Sequence, residues 1–322
     1  MTFLLTRQLA LARSRFAGAV AAPGVLASSA RLYSATKTAF GPQDIQNNDY
    51  ILSGLPIQCN PNPFHDFNME GRVYAITGGG RGLGLSMAEA LIDAGAKVHC
   101  LDRLKTPHSD FMTAKGRAKE HGGCLEYHRV DIRNNEELNG IFATIATQHK
   151  RLDGLIAAAG INNLQCALEH SQQALSDVMS TNYTGVFNSA TAAARQMINY
   201  EQRGSILLVA SMSGLIANKG MESPVYNSSK AAVIQLARSL AMEWGRHGIR
   251  VNSLCPGHIL TPMVEDVFKL NSATRALWEK ENMLGRLAMP EEFRGAALFA
   301  LSDASSFMTG STLVIDGGHT AW

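Results

Sequence analysis

From residue 71 onward, short apolar runs alternate with longer stretches in which apolar residues recur at helical spacing. This alternation is typical of repeated βαβ units, whose strands form a parallel sheet. We therefore predict an α/β fold in a single domain, with a doubly wound parallel sheet of about seven strands and helices on both faces. The predicted strands are Arg72–Thr77, Lys97–Leu101, Leu125–Val130, Gly154–Ala157, Ser205–Ala210, Gly248–Leu254 and Ser311–Ile315.

The same pattern predicts helices between the strands and a different kind of segment before them. Ser86–Ala94 forms the first predicted helix, and Val225–Trp244 forms a long one that Gly245 and Gly248 end. Residues 40–70 are rich in Asn, Pro and Gln and show no periodicity, which is typical of a linker that wraps onto a domain. We assign this linker, or N-terminal arm, to residues 36–70 and the domain to residues 71–322.

The first residues have the composition of a targeting segment. No Asp or Glu occurs up to Gln43, while five basic residues are spread among Ala, Leu and Ser. This predicts a mitochondrial transit peptide over residues 1–35, with a processing site near Arg31. Two alternatives stay open: the apolar stretch from Phe16 to Ala30 also resembles a secretory signal, and the leader could be a disordered tail of a cytoplasmic protein.

Composition narrows the class of protein. With 322 residues, 46% of them apolar and 17% charged, and a formal net charge of +2, the chain has the composition of a soluble globular protein. There is no basic patch outside the leader, so no nucleic-acid partner is predicted. The longest apolar stretches are shorter than the roughly 18 residues of a membrane-spanning helix, so no membrane partner is predicted either.

Cysteine and histidine spacing predicts neither disulfides nor a metal site. The cysteines are odd in number, widely scattered and never arranged as CxxC, which fits a reducing compartment. They are Cys59, Cys100, Cys124, Cys166 and Cys255. The histidines lack HxxxH or HExxH spacing, so we predict surface or core positions for them. Those considered are His65, His108, His128 and His258.

A glycine-rich turn joins the first predicted strand to the first predicted helix. Residues 73–77 are followed by Gly78-Gly79-Gly80-Arg81-Gly82-Leu83-Gly84 and then by the helix. Glycines allow positive φ and close approach of a ligand, and the free N–H groups of the helix start attract phosphate. The TGxxxGxG spacing differs from GxGxxG, and no GK[ST] follows, so a P-loop nucleotidase is not indicated. The arrangement predicts a Rossmann-type dinucleotide site.

Asp102 ends the second predicted strand, near the offset at which an acidic side chain meets the adenosine ribose. A carboxylate there accepts hydrogen bonds from both ribose hydroxyls and repels a 2′-phosphate, so NAD is favoured over NADP. Arg81 and Arg103 could offset that repulsion, which keeps NADP open. Asp131, after the third strand, is placed to meet the adenine edge or to cap the next helix.

Tyr226 and Lys230 are four residues apart, so on a helix they project from one face. A free phenol titrates near 10. A neighbouring ammonium stabilises the phenolate and would lower this pKa toward neutrality, which suits a general base. Upstream, the strand that ends at Ala210 places Ser211 and Ser213 at its carboxyl end, where parallel sheets bind ligands.

These motifs together resemble a classical short-chain dehydrogenase/reductase over about residues 71–318. In that family the catalytic serine lies thirteen residues before the tyrosine, so the resemblance implies Ser213 rather than Ser211. Asn182, in Ser180-Thr181-Asn182-Tyr183-Thr184-Gly185, matches the asparagine that supports a proton relay beside the lysine. The implied catalytic residues are Asn182, Ser213, Tyr226 and Lys230.

The resemblance also assigns the rest of the cofactor site. Residues 256–263, PGHILTPM, match the segment that contacts the nicotinamide, and residues 316–318 match the terminal strand motif. The family's NNAG is Ala157-Ala158-Ala159-Gly160 here, so the asparagine side-chain bonds to the sheet are absent. The implied cofactor residues are Gly78, Arg81, Gly82, Leu83, Gly84, Asp102, Asp131, Ile132, Ala159, Gly160, Tyr226, Lys230, Pro256, Gly257, Ile259 and Thr261.

The expected reaction interconverts a secondary alcohol and a ketone. Three short segments resemble the branch of the family that contains mannitol, arabinitol and sorbose or xylulose oxidoreductases: VASMSG, VYNSSKAAV and SLAMEW. This resemblance implies a sugar alcohol and its ketose as the substrate pair. A ketoreductase acting on an acyl or specialised-metabolite ketone and a non-catalytic dinucleotide-binding protein are the alternatives. Residues 263–289 are expected to form a substrate lid or a surface helix pair, and the family implies a homodimer or homotetramer.

Overall fold

The structure is a computed structural model, and it describes residues 62–118, 123–261, 264–265, 268 and 272–322. Seven parallel strands form one sheet in the order β3-β2-β1-β4-β5-β6-β7. Apolar runs form these strands because both faces of the sheet are covered, and all residues of β1 and β4 are buried. The strands are β1 Val73–Thr77, β2 Lys97–Asp102, β3 Cys124–Arg129, β4 Gly154–Ala157, β5 Gly204–Val209, β6 Ile249–Pro256 and β7 Thr312–Ile315.

Helices cover both faces of the sheet, which confirms the predicted Rossmann-type doubly wound fold. The core on one face contains residues of α3, α5 and α6, and the core on the other face contains residues of α1, α2 and α8. The helices are α1 Gly82–Asp93, α2 Ser109–Ala118, α3 Asn135–His149, α4 Gln172–Met179, α5 Val186–Asn199, α6 Pro224–Trp244, α7 Ser272–Glu281 and α8 Arg294–Leu301. A π-helical turn, Ser180–Gly185, joins α4 to α5.

The predicted strands agree with the observed ones to within two residues at each end. The first helix differs more, because α1 begins at Gly82, four residues before the predicted start at Ser86. Glycine disfavours helix in isolation, so the periodic apolar signal starts only after the turn. In the folded chain, burial of Gly84 and Leu85 extends the helix back into the glycine turn.

The predicted transit peptide and most of the predicted arm lie outside the described residues. The end of the arm is described, and it packs on the domain. Pro63–Phe67 forms a 3-10 turn, Met69 is fully buried, and its backbone N–H donates to the carbonyl of Ala94 at 2.9 Å. Within the part of the chain that the structure describes, no helix is both long and apolar enough to cross a membrane.

The sheet order reverses at β1, which pairs with β2 on one side and with β4 on the other. The connections after β1 and β4 therefore leave the sheet on opposite faces, and a crevice opens at the carboxyl ends of these strands. The glycine turn follows β1, Asp102 is the last residue of β2, and Gly160 comes shortly after β4, so all three lie at this edge. The topology thus brings the predicted site residues to one place.

Candidate active site

A cleft of about 850 Å³ opens at the carboxyl edge of the sheet. Most of the predicted cofactor residues line it: Gly78, Arg81, Gly82, Leu83, Gly84, Asp102, Asp131, Ile132, Ala159, Gly160 and Thr261. The cleft is large enough to bury a dinucleotide-sized molecule in the range typical of cofactor sites.

The glycine turn fits a pyrophosphate because its backbone is packed too tightly for side chains. Gly78 has φ +71°, and a Cβ atom there would lie 2.7 Å from the backbone nitrogen of Ala159. A Cβ atom on Gly84 would overlap the carbonyl oxygen of Gly78. Arg81 precedes α1 without a side-chain cap, so the N–H groups of the first helical turn stay available to an anion.

Asp102 lies beside this turn and is held by backbone amides. Its Oδ2 accepts a hydrogen bond from the Gly80 N–H at 3.1 Å, and its Oδ1 accepts one from the Leu104 N–H at 3.2 Å. Each carboxylate oxygen has two lone-pair sites, so both can still accept a ribose hydroxyl. The exposed Arg81 and Arg103 line the same end of the cleft.

Asp131 lines the cleft and forms an ion pair with Arg133, whose Nη2 lies 2.6 Å from Asp131 Oδ2. Hydrogen bonding from Arg133 is the main reason that the pKa of Asp131 lies below its usual value. The alternative role considered for Asp131, capping the next helix, is wrong. Asn134 caps α3 instead, and its side chain accepts a hydrogen bond from the Glu137 N–H.

Helix α6 positions Tyr226 and Lys230. Proline at its first turn fits the helix start, because proline has no N–H to leave unpaired there. The Lys230 side chain is buried, and its Nζ donates to the carbonyl of Val209 at 2.9 Å. Burial lowers the pKa of Lys230 to about 8. Its Nζ lies 5.7 Å from the centre of the Tyr226 ring.

The pKa of Tyr226 is raised, and burial is the main cause. The expectation that Lys230 lowers it is not met, because the ammonium group is bound to the carbonyl at the end of β5. The group that lowers the pKa of Tyr226 is the hydroxyl of Ser211, through a side-chain hydrogen bond. The phenol is therefore neutral in this arrangement at physiological pH.

The structure also changes the choice of serine. Ser213 Oγ accepts a hydrogen bond from Asn218 Nδ2 at 2.6 Å, while Ser211 is the serine that interacts with the Tyr226 phenol. Ser211 Oγ further accepts the backbone N–H of Ser213 at 3.1 Å. This geometry favours Ser211 over Ser213 as the serine beside the phenol, whereas the residue count before the tyrosine implied Ser213. That count depends on the length of the connection before α6.

Asn182 lies in the π-helical turn between α4 and α5 and is fully buried. Its Oδ1 accepts the Ile161 N–H at 2.9 Å, and its Nδ2 donates to the Ile161 carbonyl at 2.9 Å and to Ser229 Oγ at 3.1 Å. A Cβ atom on Gly160 would lie 3.3 Å from Asn182 Oδ1 and 3.4 Å from Lys230 Nζ. Gly160 therefore joins the cleft wall to the Asn182 and Lys230 side chains.

The remaining predicted residues follow the end of β6. Pro256 ends the strand, and a Cβ atom on Gly257 would lie 2.6 Å from the Cα of Asp316. Ile259 forms an isolated bridge with Ala288. Thr261 lines the cleft. The other three predicted residues of this segment are not part of the cleft lining: Pro256, Gly257 and Ile259. Asp316, in the terminal strand motif, therefore packs against the segment that follows β6.

Several cleft residues were not predicted. Asn162 and Thr181 line the cleft. Asn162 lies two residues after Gly160 and Thr181 directly precedes Asn182, so their positions near predicted residues were the available signal. Arg117 and Arg294 also line it, and both pair with Glu89 on α1. These pairs join elements far apart in sequence, and no motif indicates them.

Comparison with known proteins agrees with this geometry. A family model described as "Enoyl-(Acyl carrier protein) reductase" matches residues 78–320. The chain is 42% identical over 262 residues to "Short chain dehydrogenases/reductase notP'" of Aspergillus versicolor, which covers 80% of this chain and 89% of that protein. The chain belongs to the short-chain dehydrogenase/reductase family. This confirms the family resemblance that its motifs carry.

Other short-chain dehydrogenases/reductases show the same relationship. The D-arabinitol 2-dehydrogenase [ribulose-forming] of Scheffersomyces stipitis is 36% identical over 272 residues, covering 81% of this chain and 98% of the relative. The crystal structure of a gluconate 5-dehydrogenase from Burkholderia cenocepacia J2315 in complex with NADP and tartrate aligns with a TM-score of 0.74 and 30% identity, covering 81% of this chain and 100% of that one. The protein is accordingly an alcohol–carbonyl oxidoreductase with a fold that binds NAD or NADP.

Proposed function

We propose that the protein is an NAD(H)-dependent dehydrogenase that interconverts a sugar alcohol and its ketose. One observation carries the choice of substrate. Asn218 is buried beside Ser213 with φ +33°, and its Oδ1 has no hydrogen-bond partner. A buried acceptor without a donor is costly, and a substrate hydroxyl would supply that donor.

The surroundings of Asn218 support a polar substrate. The connections after β4 and β5 meet where the Gln165 N–H donates to the carbonyl of Glu222 at 2.9 Å. On the same connection after β4, Asn162 lines the cleft. Asn163 Nδ2 donates to Gln165 Oε1 at 3.4 Å. Amide side chains both donate and accept hydrogen bonds, which suits a substrate with several hydroxyls. The 36% identity to a D-arabinitol 2-dehydrogenase supports the same class.

Asp102 supports NAD as the preferred cofactor. Its carboxylate is fixed by two backbone amides at the ribose end of the cleft, where a 2′-phosphate would meet negative charge. The bound dinucleotide supplies a hydride acceptor or donor at its nicotinamide ring. Arg81 and Arg103 lie at the same end and would offset part of this repulsion, so we expect NADP to bind more weakly than NAD without being excluded from the cleft.

The chain's own residues handle the proton and the reacting oxygen. In the oxidative direction, Tyr226 Oη takes the hydroxyl proton, and Ser211 Oγ donates a hydrogen bond to the substrate oxygen. Lys230 retains charge below its pKa of about 8, and its ammonium stays bonded to the Val209 carbonyl, 5.7 Å from the centre of the Tyr226 ring. Asn182 stays bonded to the Ile161 backbone on the Lys230 side of the site, where it would help pass the proton to solvent.

A panel of pentitols, hexitols and ketoses, run with NAD(H) and NADP(H) in parallel, tests the proposal. We expect turnover of at least one polyol–ketose pair and a higher kcat/KM with NAD(H). Asp102→Ser should move the NAD:NADP ratio of kcat/KM toward NADP by about tenfold, a step of 1.4 kcal/mol. Asp110→Asn, at an exposed position on the same cleft, should leave the ratio unchanged.

The panel also separates the alternatives. Turnover of 3-oxoacyl thioesters or apolar ketones in place of polyols would support a ketoreductase and contradict the polyol assignment. An absence of turnover with every substrate, together with measurable NAD binding, would support a non-catalytic dinucleotide-binding protein. Asn218→Leu should raise KM for the polyol with little effect on kcat, because the lost contact stabilises the bound substrate and the transition state equally.

We propose a mitochondrial location on the composition of residues 1–35, which have dispersed arginines and no acidic residue. Fusion of these residues to a fluorescent protein should direct it to mitochondria. Neutralising Arg7, Arg13 and Arg15 together should leave the fusion in the cytosol. Secretion of the unmodified fusion would support the alternative signal-peptide interpretation.

We also propose a homodimer or homotetramer. Large apolar side chains are exposed on the outer faces of α5 and α6, including Phe187, Ile198 and Met242. Exposed apolar groups on long helices are typical of subunit contacts in an oligomer. Sedimentation velocity should give the mass of two or four chains, and a monomer at micromolar concentration would contradict the assignment.

A further inference from the structure

Three side chains with metal-ligating atoms meet outside the catalytic site. His258 follows β6, Glu281 is the last residue of α7, and His319 follows β7. One ligand atom of each residue lies within 4.8 Å of the others. The cluster therefore joins three segments that are 23 and 38 residues apart in the chain. Motif spacing cannot indicate such a cluster, which is why no metal site was predicted.

The two imidazoles are buried. His258 is 9% exposed and His319 is 8% exposed. His319 Nδ1 is buried without a hydrogen-bond partner. A buried ring nitrogen without a partner is costly, and a metal ion would supply that partner.

Packing fixes the His258 ring. It stacks on Trp278 with ring centres 4.1 Å apart and planes 4° from parallel, and the His319 ring meets it edge-on at 5.2 Å. Trp278 belongs to α7, the helix that ends at Glu281. The ligands are thus oriented by the same helix that supplies the carboxylate. Ligands held in this way lose little side-chain entropy when a metal binds.

A second histidine cluster differs from the first because its rings are hydrogen-bonded to one another. His99 Nδ1 lies 2.9 Å from His128 Nε2, and His99 Nε2 lies 2.9 Å from His149 Nε2. Those three rings satisfy one another by hydrogen bonds, and both nitrogens of the central ring are used. The cluster of His258, Glu281 and His319 combines a carboxylate with a buried nitrogen that has no partner. Of these two clusters, both within the described residues, it is the one that holds a buried ring nitrogen without a hydrogen-bond partner.

We propose that His258, Glu281 and His319 bind one divalent transition-metal ion, with zinc as the best match. Two imidazole nitrogens and one carboxylate oxygen are a common zinc ligand set, and water can complete a tetrahedral site. Ligand atoms of one tetrahedral zinc lie about 3.4 Å apart for bonds of about 2.1 Å. Separations within 4.8 Å therefore close by shifts on the order of 1 Å for each side chain.

The ion would tie α7 to the carboxyl edge of the sheet. Two backbone hydrogen bonds already hold the chain after α7 at this edge. The Leu284 N–H donates to the Gly317 carbonyl at 3.1 Å, and the Ala288 N–H donates to the His258 carbonyl at 2.9 Å. Helix α7 lies within residues 263–289, the expected substrate lid. A metal at its last residue would fix the end of that segment, and we assign the ion this structural role.

Metal binding by the untagged full chain tests the proposal without any substrate. After treatment with a chelator, the protein is dialysed against Zn²⁺ or Co²⁺, and bound metal is measured by elemental analysis. We expect one ion per chain, a Co²⁺ visible spectrum of a four- or five-coordinate site, and a higher Tm with Zn²⁺. Quenching of Trp278 fluorescence by Co²⁺ would report binding beside His258.

Two conservative variants and one matched control decide the assignment. Glu281→Gln and His319→Gln should each weaken Zn²⁺ binding at least 10–100-fold, the scale found for the loss of a supporting group at a metal site. Both should also lose the rise in Tm with Zn²⁺. His149→Gln, in the other histidine cluster, should bind Zn²⁺ as the unmodified chain does.

Glu281 is only partly buried, so its variant tests the site without depending on the core. Zinc binding of equal affinity in the unmodified chain and Glu281→Gln would overturn the proposal. So would an octahedral Co²⁺ spectrum or the absence of bound metal. These results are independent of the polyol panel, because neither the probe ions nor the readouts involve catalysis.

Discussion

The two ends of the candidate site are built from different parts of the chain. At the cofactor end, backbone atoms form the site: the Gly78–Gly84 turn packs against the Ala159 backbone, and amides hold Asp102. At the catalytic end, side chains form it. Ser211, Lys230 and Asn182 are buried and Tyr226 is partly buried, and hydrogen bonds to one another or to nearby carbonyls place them.

This difference explains how each end depends on sequence. A backbone site needs glycine wherever a Cβ atom would collide, and its spacing is fixed by a strand and a helix. A side-chain site depends on which hydroxyl or amine reaches the reacting atoms, and that depends on loop length.

The largest effect should come from Tyr226 at the catalytic end. Tyr226→Phe removes the general acid–base group and should lower kcat by about 1000-fold, within the range of such catalysis. NAD binding and Tm should stay close to the original values, because the ring is kept. Activity measured by NADH absorbance, with binding measured by calorimetry, gives the comparison. Full turnover in this variant would refute the assigned role.

The paired serines should differ strongly. Ser211→Ala removes the hydroxyl that interacts with Tyr226 and should lower kcat about 100-fold, as loss of an oxyanion donor does. Ser213→Ala breaks only the contact with Asn218 and should change kcat by no more than a few-fold. Steady-state kinetics on both variants decides between them. If Ser213→Ala proves the more damaging, the original assignment by residue count is correct.

At the cofactor end, the effect should come from added bulk. Gly84→Ala places a Cβ atom against the Gly78 carbonyl and should raise the Kd for NAD at least tenfold, or 1.4 kcal/mol. Gly116→Ala is the matched control, because it lies in α2 with open space around it and should be neutral or slightly stabilising. Equal NAD affinity in both variants would contradict the backbone account.

The smallest effect concerns the pH dependence of stability at the catalytic end. Folding lowers the pKa of Lys230 to about 8, so the unfolded chain holds more protons above that pH. The free energy of unfolding should therefore rise with pH in this window. Relative to Lys230→Met, the unmodified chain should gain about 1 kcal/mol between pH 7 and pH 9. Urea unfolding measures the difference, and parallel pH profiles would show that Lys230 is not titrating there.

The contrast also explains what the sequence could predict. The strands and the cofactor end followed from short apolar runs, glycine spacing and Asp102 at a strand end, which are all local signals. The fold and the family were confirmed, and most predicted cofactor residues line the cleft. The early start of α1 was missed because glycine propensity hides a helix that tertiary packing stabilises.

Features fixed by distant contacts were not accessible from local patterns. Which of Ser211 and Ser213 lies beside Tyr226 depends on the path of the chain between β5 and α6. The capping of α3 by Asn134 depends on the turn after Asp131. The cluster of His258, Glu281 and His319 is assembled by the sheet order, so its residues carry no common spacing.

The π-helical turn at Ser180–Gly185 sets the rotation between two helices. An α-helix turns by about 100° per residue, so the additional residue of a wider turn offsets the faces of α4 and α5. Deleting one residue would give a more regular helix but would rotate the buried alanines of α5 out of the core and remove Asn182 from Ile161. Chain length at this point is therefore fixed by the core and the active site together, and a single-residue deletion would damage both at once.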